Sequence, residues 1–491
     1  MRTDLPSFHP VRRLLVAVVL AALAASLLSL ASGGGRAIDG DQARSGAVTG
    51  TFNGAATGMA TKRRNGPNPV TPGNFTGYGF DQCHTPNQAT MDTWLEHSPF
   101  LSAGVYISGD SRACRDQPNL TPEWVSTQLA KGWRLLPITL GPQASCQPRF
   151  PRYNDDFKIS PARGAGNYSK ARSMGQVNAQ QTLVDAQALG LVPGSTLWYD
   201  LEGFDASNKD CRESALAFLS AWNKVIKDNG YVAGVYSSAG SGIKVLDDAR
   251  VNRPGAFVLP DQIWLARWDG QANTSTSYIR EDGWRPGNRI KQFRGGHDEV
   301  WGGVRINIDS NFLDVGLGSV AAKEVHCGGV TVSFKTYEPV GPPVDGVASP
   351  GKYVKALQCL LQEKGVYSGE INGTYHPGVI KAVRAWQAKR GFAQDDRWFR
   401  RDWMSVLTNG QQPVLKIGSA GAYVRRVQRA LNAASLGKTV RADGVLAPAT
   451  DQLVRTYQTK VGLPASGVVD SATWAKLKKG VRPGNARQAR R

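Results

Sequence analysis

Between Gly77 and about Leu317 the chain alternates short apolar runs with amphipathic stretches. The runs fall at 78–81, 103–107, 134–140, 196–200, 232–236, 262–266, 289–293 and 306–309. Their length and apolar density suit strands buried on both faces. Several intervening stretches carry helix signals. Thr121-Pro122-Glu123-Trp124 supplies an N-cap, a proline at the first helical position and an early acid. Over 215–226, Leu216, Leu219, Trp222, Val225 and Ile226 share one helical face, and Gly230 ends it. Eight strands alternating with helices predict an α/β fold, a (β/α)8 TIM-like barrel over 75–320. A doubly wound open sheet is the alternative, but no Gly-x-Gly-x-x-Gly follows the first strand to support a dinucleotide fold.

Beyond residue 350 the period becomes helical and repeats. Val354, Leu357, Gln358 and Leu361 recur 70 residues later as Val424, Val427, Gln428 and Leu431. Asn372-Gly373 recurs as Asp443-Gly444, Trp386-Gln387 as Tyr457-Gln458, and Trp403 as Trp474. One register, with a single-residue slip, across so many landmarks predicts two small all-α helical-bundle domains, at 350–410 and 411–480. Residues 321–349 form a bridge and a Pro/Gly linker, with 330–334 expected as a strand packed on the barrel.

Charge and the N-terminus narrow the setting. The net charge is +20, so the protein seeks polyanions: nucleic acid, anionic lipid or an anionic wall. Arg12-Arg13 precedes an uncharged stretch from 14 to 31 that ends in Ser29-Leu30-Ala31. Residues 1–31 therefore read as a secretory signal peptide, or else as an uncleaved membrane anchor. Either places the bulk of the chain outside the cytoplasm, which argues against a nucleic-acid partner. Residues 32–74 read as a disordered spacer. The basic tail, 481–491, could adsorb to anionic wall polymer. Six cysteines without a Cys-x-x-Cys pair suggest disulfides rather than a metal site, and no cofactor is implied. Cys327 and Cys359 are neighbours across the linker. Cys83, Cys114, Cys146 and Cys211 allow three pairings that sequence does not decide.

The candidate chemistry lies at the ends of the apolar runs. Asp81 closes the first, Asp200 and Glu202 the fourth, and Asp309 the eighth. In a barrel, strand C-termini open on one face, so four carboxylates would meet at one mouth. Strand alternation would put Asp200 and Glu202 on one side, about 6.5 Å apart. Acids buried together drive one pKa up, which suits cleavage of a glycosidic bond. The bland alternative is that this pair only caps the next helix. Aromatic residues near the strand ends, Tyr106, Tyr236, Trp268 and Trp301, could stack on sugar rings, whereas Trp198 reads as barrel core.

Gly79-Phe80-Asp81, Asp200-Leu201-Glu202, Ile263-Trp264-Leu265-Ala266, Lys291-Gln292-Phe293 and Asn307-Ile308-Asp309-Ser310-Asn311 resemble the motifs of glycoside hydrolase family 25, the barrel muramidases. Gly79-Phe80-Asp81-Gln82-Cys83, Gly104-Val105-Tyr106-Ile107 and Gly234-Val235-Tyr236-Ser237-Ser238 resemble more closely a related family of secreted bacterial glycoside-hydrolase-like domains of undetermined activity. The resemblance implies Glu202 as proton donor, with Asp200 orienting or stabilising the reacting sugar. Asp81 and Asp309 would tune the pair and bind substrate. Trp268, which directly follows the sixth run, Tyr106, Tyr236 and Gln292 are the further substrate-binding candidates. The repeat resembles a peptidoglycan-binding module. In its first copy Asn372 replaces the usual Asp and 394–401 lacks a second Asp-Gly turn, which leaves open whether that copy binds or only supports its neighbour. Residues near Asp443-Gly444 and Thr473-Trp474 are the expected groove. Two functions follow: a secreted glycosidase acting on peptidoglycan or another cell-wall glycan, or a non-catalytic wall protein that binds glycan in the barrel mouth.

Overall fold

The computed structural model describes residues 66–147 and 157–483. Eight strands close a barrel in chain order. They are β1 (Phe75–Asp81), β2 (Ser102–Ser108), β3 (Arg134–Thr139), β4 (Thr196–Asp200), β5 (Val232–Ser238), β6 (Gln262–Ala266), β7 (Asn288–Trp301) and β8 (Val304–Val315). Helices follow the first five strands: α1 (Gln88–His97), α2 (Pro122–Lys131), α3 (Ser169–Ala188), α4 (Lys209–Asp228) and α5 (Lys244–Asn252). Local signals explain their ends. Thr121 Oγ1 accepts from the Trp124 N–H to start α2, and α4 stops ahead of Gly230, whose φ is 77°.

Strict alternation fails in the last third. Strands β1 to β7 run parallel, but β8 is antiparallel to both β7 and β1. Among the described residues no helix stands between β6 and β7 or between β7 and β8. Instead β7 and β8 form one long hairpin, turning at Gly302-Gly303, where both φ are positive. Its outer half lies along α1, with Trp94 Nε1 donating to Val304 O at 3.1 Å. Trp301, Val304 and Ile306 pack there against the helical shell and cover a flank where a helix would otherwise lie. Asp309 therefore does not end a parallel strand, as sequence suggested. It sits inside β8 and reaches the mouth because that strand enters from there.

The barrel interior is filled by Phe75, Leu136, Ile138, Trp198, Trp264, Ile290, Leu313 and Val315. Trp198 and Trp264 meet edge-on, with centroids 5.6 Å apart. Truncating a tryptophan so enclosed costs about 3–5 kcal/mol. The end opposite the mouth is closed by residues ahead of β1. Thr71 is buried there, its N–H donating to Ser195 Oγ and its hydroxyl to Leu135 O. The expected spacer thus gives way to ordered, packed chain within 66–74.

The helical region comprises α6 (Gly351–Glu363), α7 (Pro377–Lys389), α8 (Arg400–Leu407), α9 (Ala422–Ala434), α10 (Pro448–Lys460) and α11 (Ser471–Lys478). The repeated residues are turn clamps. Gln358 donates to Asn372 Oδ1 and accepts from Gly373 N, and Gln428 does the same with Asp443 and Gly444. Gln387 holds the turn at Asp395 as Gln458 holds that at Gly467, so the first copy keeps its second turn without an Asp-Gly pair. Trp403 and Trp474 are buried, each donating its indole N–H to a carbonyl of the preceding connection, Glu338 O and Pro413 O. Trp474 is therefore core and lines no groove. One hydrophobic cluster runs through both copies. Each unit, near the lower size for an independent core, is thereby relieved of standing alone.

Residues 330–334 form no strand, and they pack on the helical region rather than on the barrel. Disulfides join Cys83 to Cys114, Cys146 to Cys211 and Cys327 to Cys359. The second copy docks on the barrel end away from the mouth. There the buried Lys416 ammonium donates to the carbonyls of Trp94, Leu95, Ser98 and Phe100. The expected signal peptide or anchor, most of the spacer and the tail from 484 lie outside the described residues. No described helix is long and apolar enough to cross a membrane.

Candidate active site

The mouth is assembled from residues that β1, β4, β7 and β8 carry to one level. Asp81, the last residue of β1, lies directly opposite Asp309 in the antiparallel β1–β8 pair. Directly opposed residues share a face, and like charges there repel. Gly104 on β2 makes room: a Cβ at that position would stand 2.6 Å from Asp81 Cβ.

Amides answer the repulsion. Gln292 Nε2 donates to both oxygens of Asp81 at 3.3 Å and to Asp309 Oδ2 at 3.1 Å. Its carbonyl accepts from Tyr236 Oη at 3.0 Å and from Trp268 Nε1 at 2.9 Å. An indole nitrogen only donates, so the amide can sit only with its NH2 toward the acids. Asn311 is set the same way. Trp264 Nε1 donates to its Oδ1 at 2.8 Å, and its Nδ2 donates to Asp81 Oδ1 at 2.6 Å. The backbone N–H of Gly296 donates to Asp309. Burial, and then the charge of Asp309, push the Asp81 carboxyl well above the usual carboxylate range. Burial also raises Asp309. The two acids face amide donors, an arrangement suited to holding carboxyl groups rather than a metal cation.

The other acid pair is held by its backbone. Gln143, from the long loop after β3, donates to Asp200 O and accepts from Glu202 N, both at 2.9 Å. Strand β4 ends at Asp200, so Glu202 lies beyond it and the spacing of an extended strand does not apply. Neither acid caps α4: that role belongs to Asn208, which accepts from Cys211 N. Asp200 is buried beside Tyr106 Oη, 3.5 Å from its Oδ2, while Glu202 is half-buried. Burial and the surrounding acids push the phenols of Tyr106 and Tyr236 well above their ordinary range, so both remain donors.

A cleft of about 600 Å3 opens over these groups and is lined by Asp81, Glu202, Asp309 and Tyr106. Its far wall is built from Gln82, Cys83, His84, Arg112 and Cys114, where the Cys83–Cys114 disulfide ties the loops after β1 and β2. Trp268 does not line this cleft; it is 64% exposed, its ring lies against Gly295 and its indole N–H ties it to Gln292. Trp301 instead packs on α1 and bonds Glu299. The structure thus brings together Asp81, Asp200, Glu202, Asp309, Tyr106, Tyr236, Trp268 and Gln292. Sequence reasoning missed Asn311, although it lies in a quoted motif, as well as Trp264 and Gln143. Gln143 had no local signal, because its partners are 57 and 59 residues away.

With this geometry in place, comparison with known proteins defines the class. Residues 92–313 match the Rv2525c-like, glycoside hydrolase-like domain, and residues 350–396 and 420–477 match the putative peptidoglycan binding domain. The chain thus carries a glycoside-hydrolase-like barrel and two peptidoglycan-binding modules, which together indicate a role related to cell-wall glycan. Among solved structures, it is similar to the Tat-secreted protein Rv2525c of Mycobacterium tuberculosis in complex with L-tartrate. That match has 14% identity, covers 48% of this chain and 95% of the other, and has a TM-score of 0.32. The modular autolysin LytC from Streptococcus pneumoniae matches at 12% identity, 51% of each chain and a TM-score of 0.31. The catalytic domain of endolysin ply40 from bacteriophage P40 of Listeria monocytogenes matches at 11% identity, 49% of this chain and 93% of the other, with a TM-score of 0.27. No curated protein matches the sequence.

Proposed function

We propose that the protein is a secreted, cell-wall-associated glycoside hydrolase acting on peptidoglycan-type glycan. The observation that carries this reading is the shared cleft of Glu202, Asp81 and Asp309 over a mouth that also holds Asp200. Glu202, half-buried and open to the cleft, is the general acid. It gives its proton to the glycosidic oxygen as the bond from that oxygen to the anomeric carbon breaks. Asp200 stabilises or orients the reacting sugar, and water completes the hydrolysis. Asp81 and Asp309, with Gln292 between them, hold sugar hydroxyls and shape the field around Glu202. Trp268 offers an exposed face for a sugar ring. The helical modules keep the barrel on the wall and raise the local substrate concentration without altering the chemistry.

A second reading is favoured by one observation. Asp81 and Asp309 are satisfied by amides, as in a site built to hold a ligand rather than to turn it over. On that reading the barrel binds glycan and cleaves nothing. Mass spectrometry of soluble products from purified peptidoglycan separates the two. Hydrolysis yields glycan fragments with free reducing ends, whereas products cut at peptide bonds, or no products, count against the glycosidase.

A further inference from the structure

The two helical copies are built alike but are not equally open. At matched positions on their first helices, Lys355 and Arg425 both lie across the glycine of the clamped turn, within 3.0 Å of where a Cβ on Gly373 or Gly444 would stand. In the second copy this face is covered by the chain's own bridge. Ala321 Cβ comes within 2.8 Å of a Cβ built on Gly444, and Arg425 donates to Ala321 O. Arg429 donates to Glu324 at 2.6 Å and to Ser333 at 2.8 Å, and Asn432 donates to Phe334 O at 3.0 Å. Arg425, Arg429, Asn432 and Gly444 are all buried. The same copy is seated on the barrel through Lys416 and through Gly418, whose carbonyl accepts from Ser319 Oγ at 2.7 Å.

In the first copy Lys355 and Gln362, which match the buried Arg425 and Asn432, are exposed, as is Lys352; at the turn Asn372 is exposed, as is its match Asp443. The bridge reaches α6 through the Cys327–Cys359 disulfide and through His326, which occupies Glu363, the one acid in that helix, at 2.8 Å. What remains is a face of two ammonium groups and two amides beside an Asn-Gly turn.

We infer that the second copy is a mount, closed by the bridge and seated on the barrel, and that the first copy carries the wall-binding face. This rests on the wall reading above. The occupant of the face is the peptide-bearing segment of peptidoglycan. Its carboxylates complement Lys352 and Lys355, and its amides complement Gln362 and Asn372. The sequence left open whether the first copy binds or only supports its neighbour.

Co-sedimentation of the full chain with purified peptidoglycan at fixed ionic strength tests it. Three proteins are compared: wild type, Lys352→Glu with Lys355→Glu, and Lys438→Glu with Arg441→Glu. The last pair makes the same charge change on exposed positions of the second copy. Thermal melts check that all three are folded. The expected result is at least tenfold weaker binding for the first-copy variant and no more than twofold for the second-copy variant. Equal losses would mean diffuse charge attraction and overturn the inference, as would a loss confined to the second copy or no loss in either. If wild type itself fails to sediment, the wall reading falls and takes this inference with it.

Discussion

Asp81 and Asp309 face each other across two antiparallel strands, and a single amide, Gln292 Nε2, donates to both. The amide's other end is pinned by Tyr236 and Trp268, so it cannot turn away to leave the acids opposed. Gln292→Leu keeps the bulk and removes both the donor and the acceptor. Bonds to charged groups are worth about 1.5–3 kcal/mol each, so a loss of about 2–4 kcal/mol is expected. Denaturant unfolding at neutral pH measures it. An unchanged midpoint would show that the amide does not hold the pair.

The acids also give stability a pH signature. Burial and Asp309 raise Asp81 in the folded state. The folded chain then holds a proton that the unfolded chain has already lost. Stability from this group is therefore greatest at low pH and declines as pH rises from about 4 through the raised value. Carboxylates such as Glu324, lowered to about 2 by His326 and Arg429 against the cost of burial, act in the opposite sense at lower pH. The difference between wild type and Asp309→Asn isolates the pair. The variant, relieved of one charge, should be the more stable at neutrality, and its advantage should shrink toward pH 4. Melting temperature against pH reads this directly.

Lys416 carries a charge-bearing group into the contact between barrel and helical region. Burial pushes its ammonium down to about 7. Between that value and about 10 the unfolded lysine holds a proton that the folded one has released, so stability climbs with pH across the window, by at most about 1.4 kcal/mol per pH unit. Lys416→Met should flatten the climb. It should also leave four carbonyls without their donor, at a cost of about 1–3 kcal/mol or more. A climb that persists in the variant would place its origin elsewhere.

Trp268 is mostly exposed, so removing it should leave the fold intact. Trp268→Ala is expected to weaken glycan binding roughly tenfold, the scale of one lost ring stack together with its buried area. Melting temperature should move little. Affinity for amino-sugar oligosaccharides by calorimetry, with the melt as control, checks both halves.

Much of this was legible in the sequence, in some places for incomplete reasons. The apolar runs gave eight strands in order, because a strand buried on both faces leaves an unbroken apolar signature. The direction of β8 was not read. Its outer half alternates exposed and half-buried residues, so the run at 306–309 looked like one short strand, and the Trp301-Gly302-Gly303-Val304 turn went unnoticed. Asp309 was placed at the mouth all the same, since a strand entering from the mouth and one ending there both bring a residue to it. Asp81, Asp200 and Glu202 were found because acids at the ends of apolar runs stand out. Gln143 and Asn311 are uncharged amides whose partners are distant in sequence, and no local pattern marks them. The closure of the second helical copy by the bridge was equally hidden: the apolar run at 330–334 read as a strand on the barrel, whereas it packs without strand structure on the helical region.

The proposed role of Glu202 is to give its proton to a glycosidic oxygen. Release of reducing ends from purified peptidoglycan by wild type and by Glu202→Gln, with co-sedimentation as the parallel readout, tests it most directly. Expected are release by wild type, a loss on the order of 10²–10⁴-fold in the variant from removal of a general acid, and unchanged sedimentation of both. Equal release by the two proteins, or none by wild type while both still sediment with the wall, would contradict this role and leave the barrel as a glycan-binding domain.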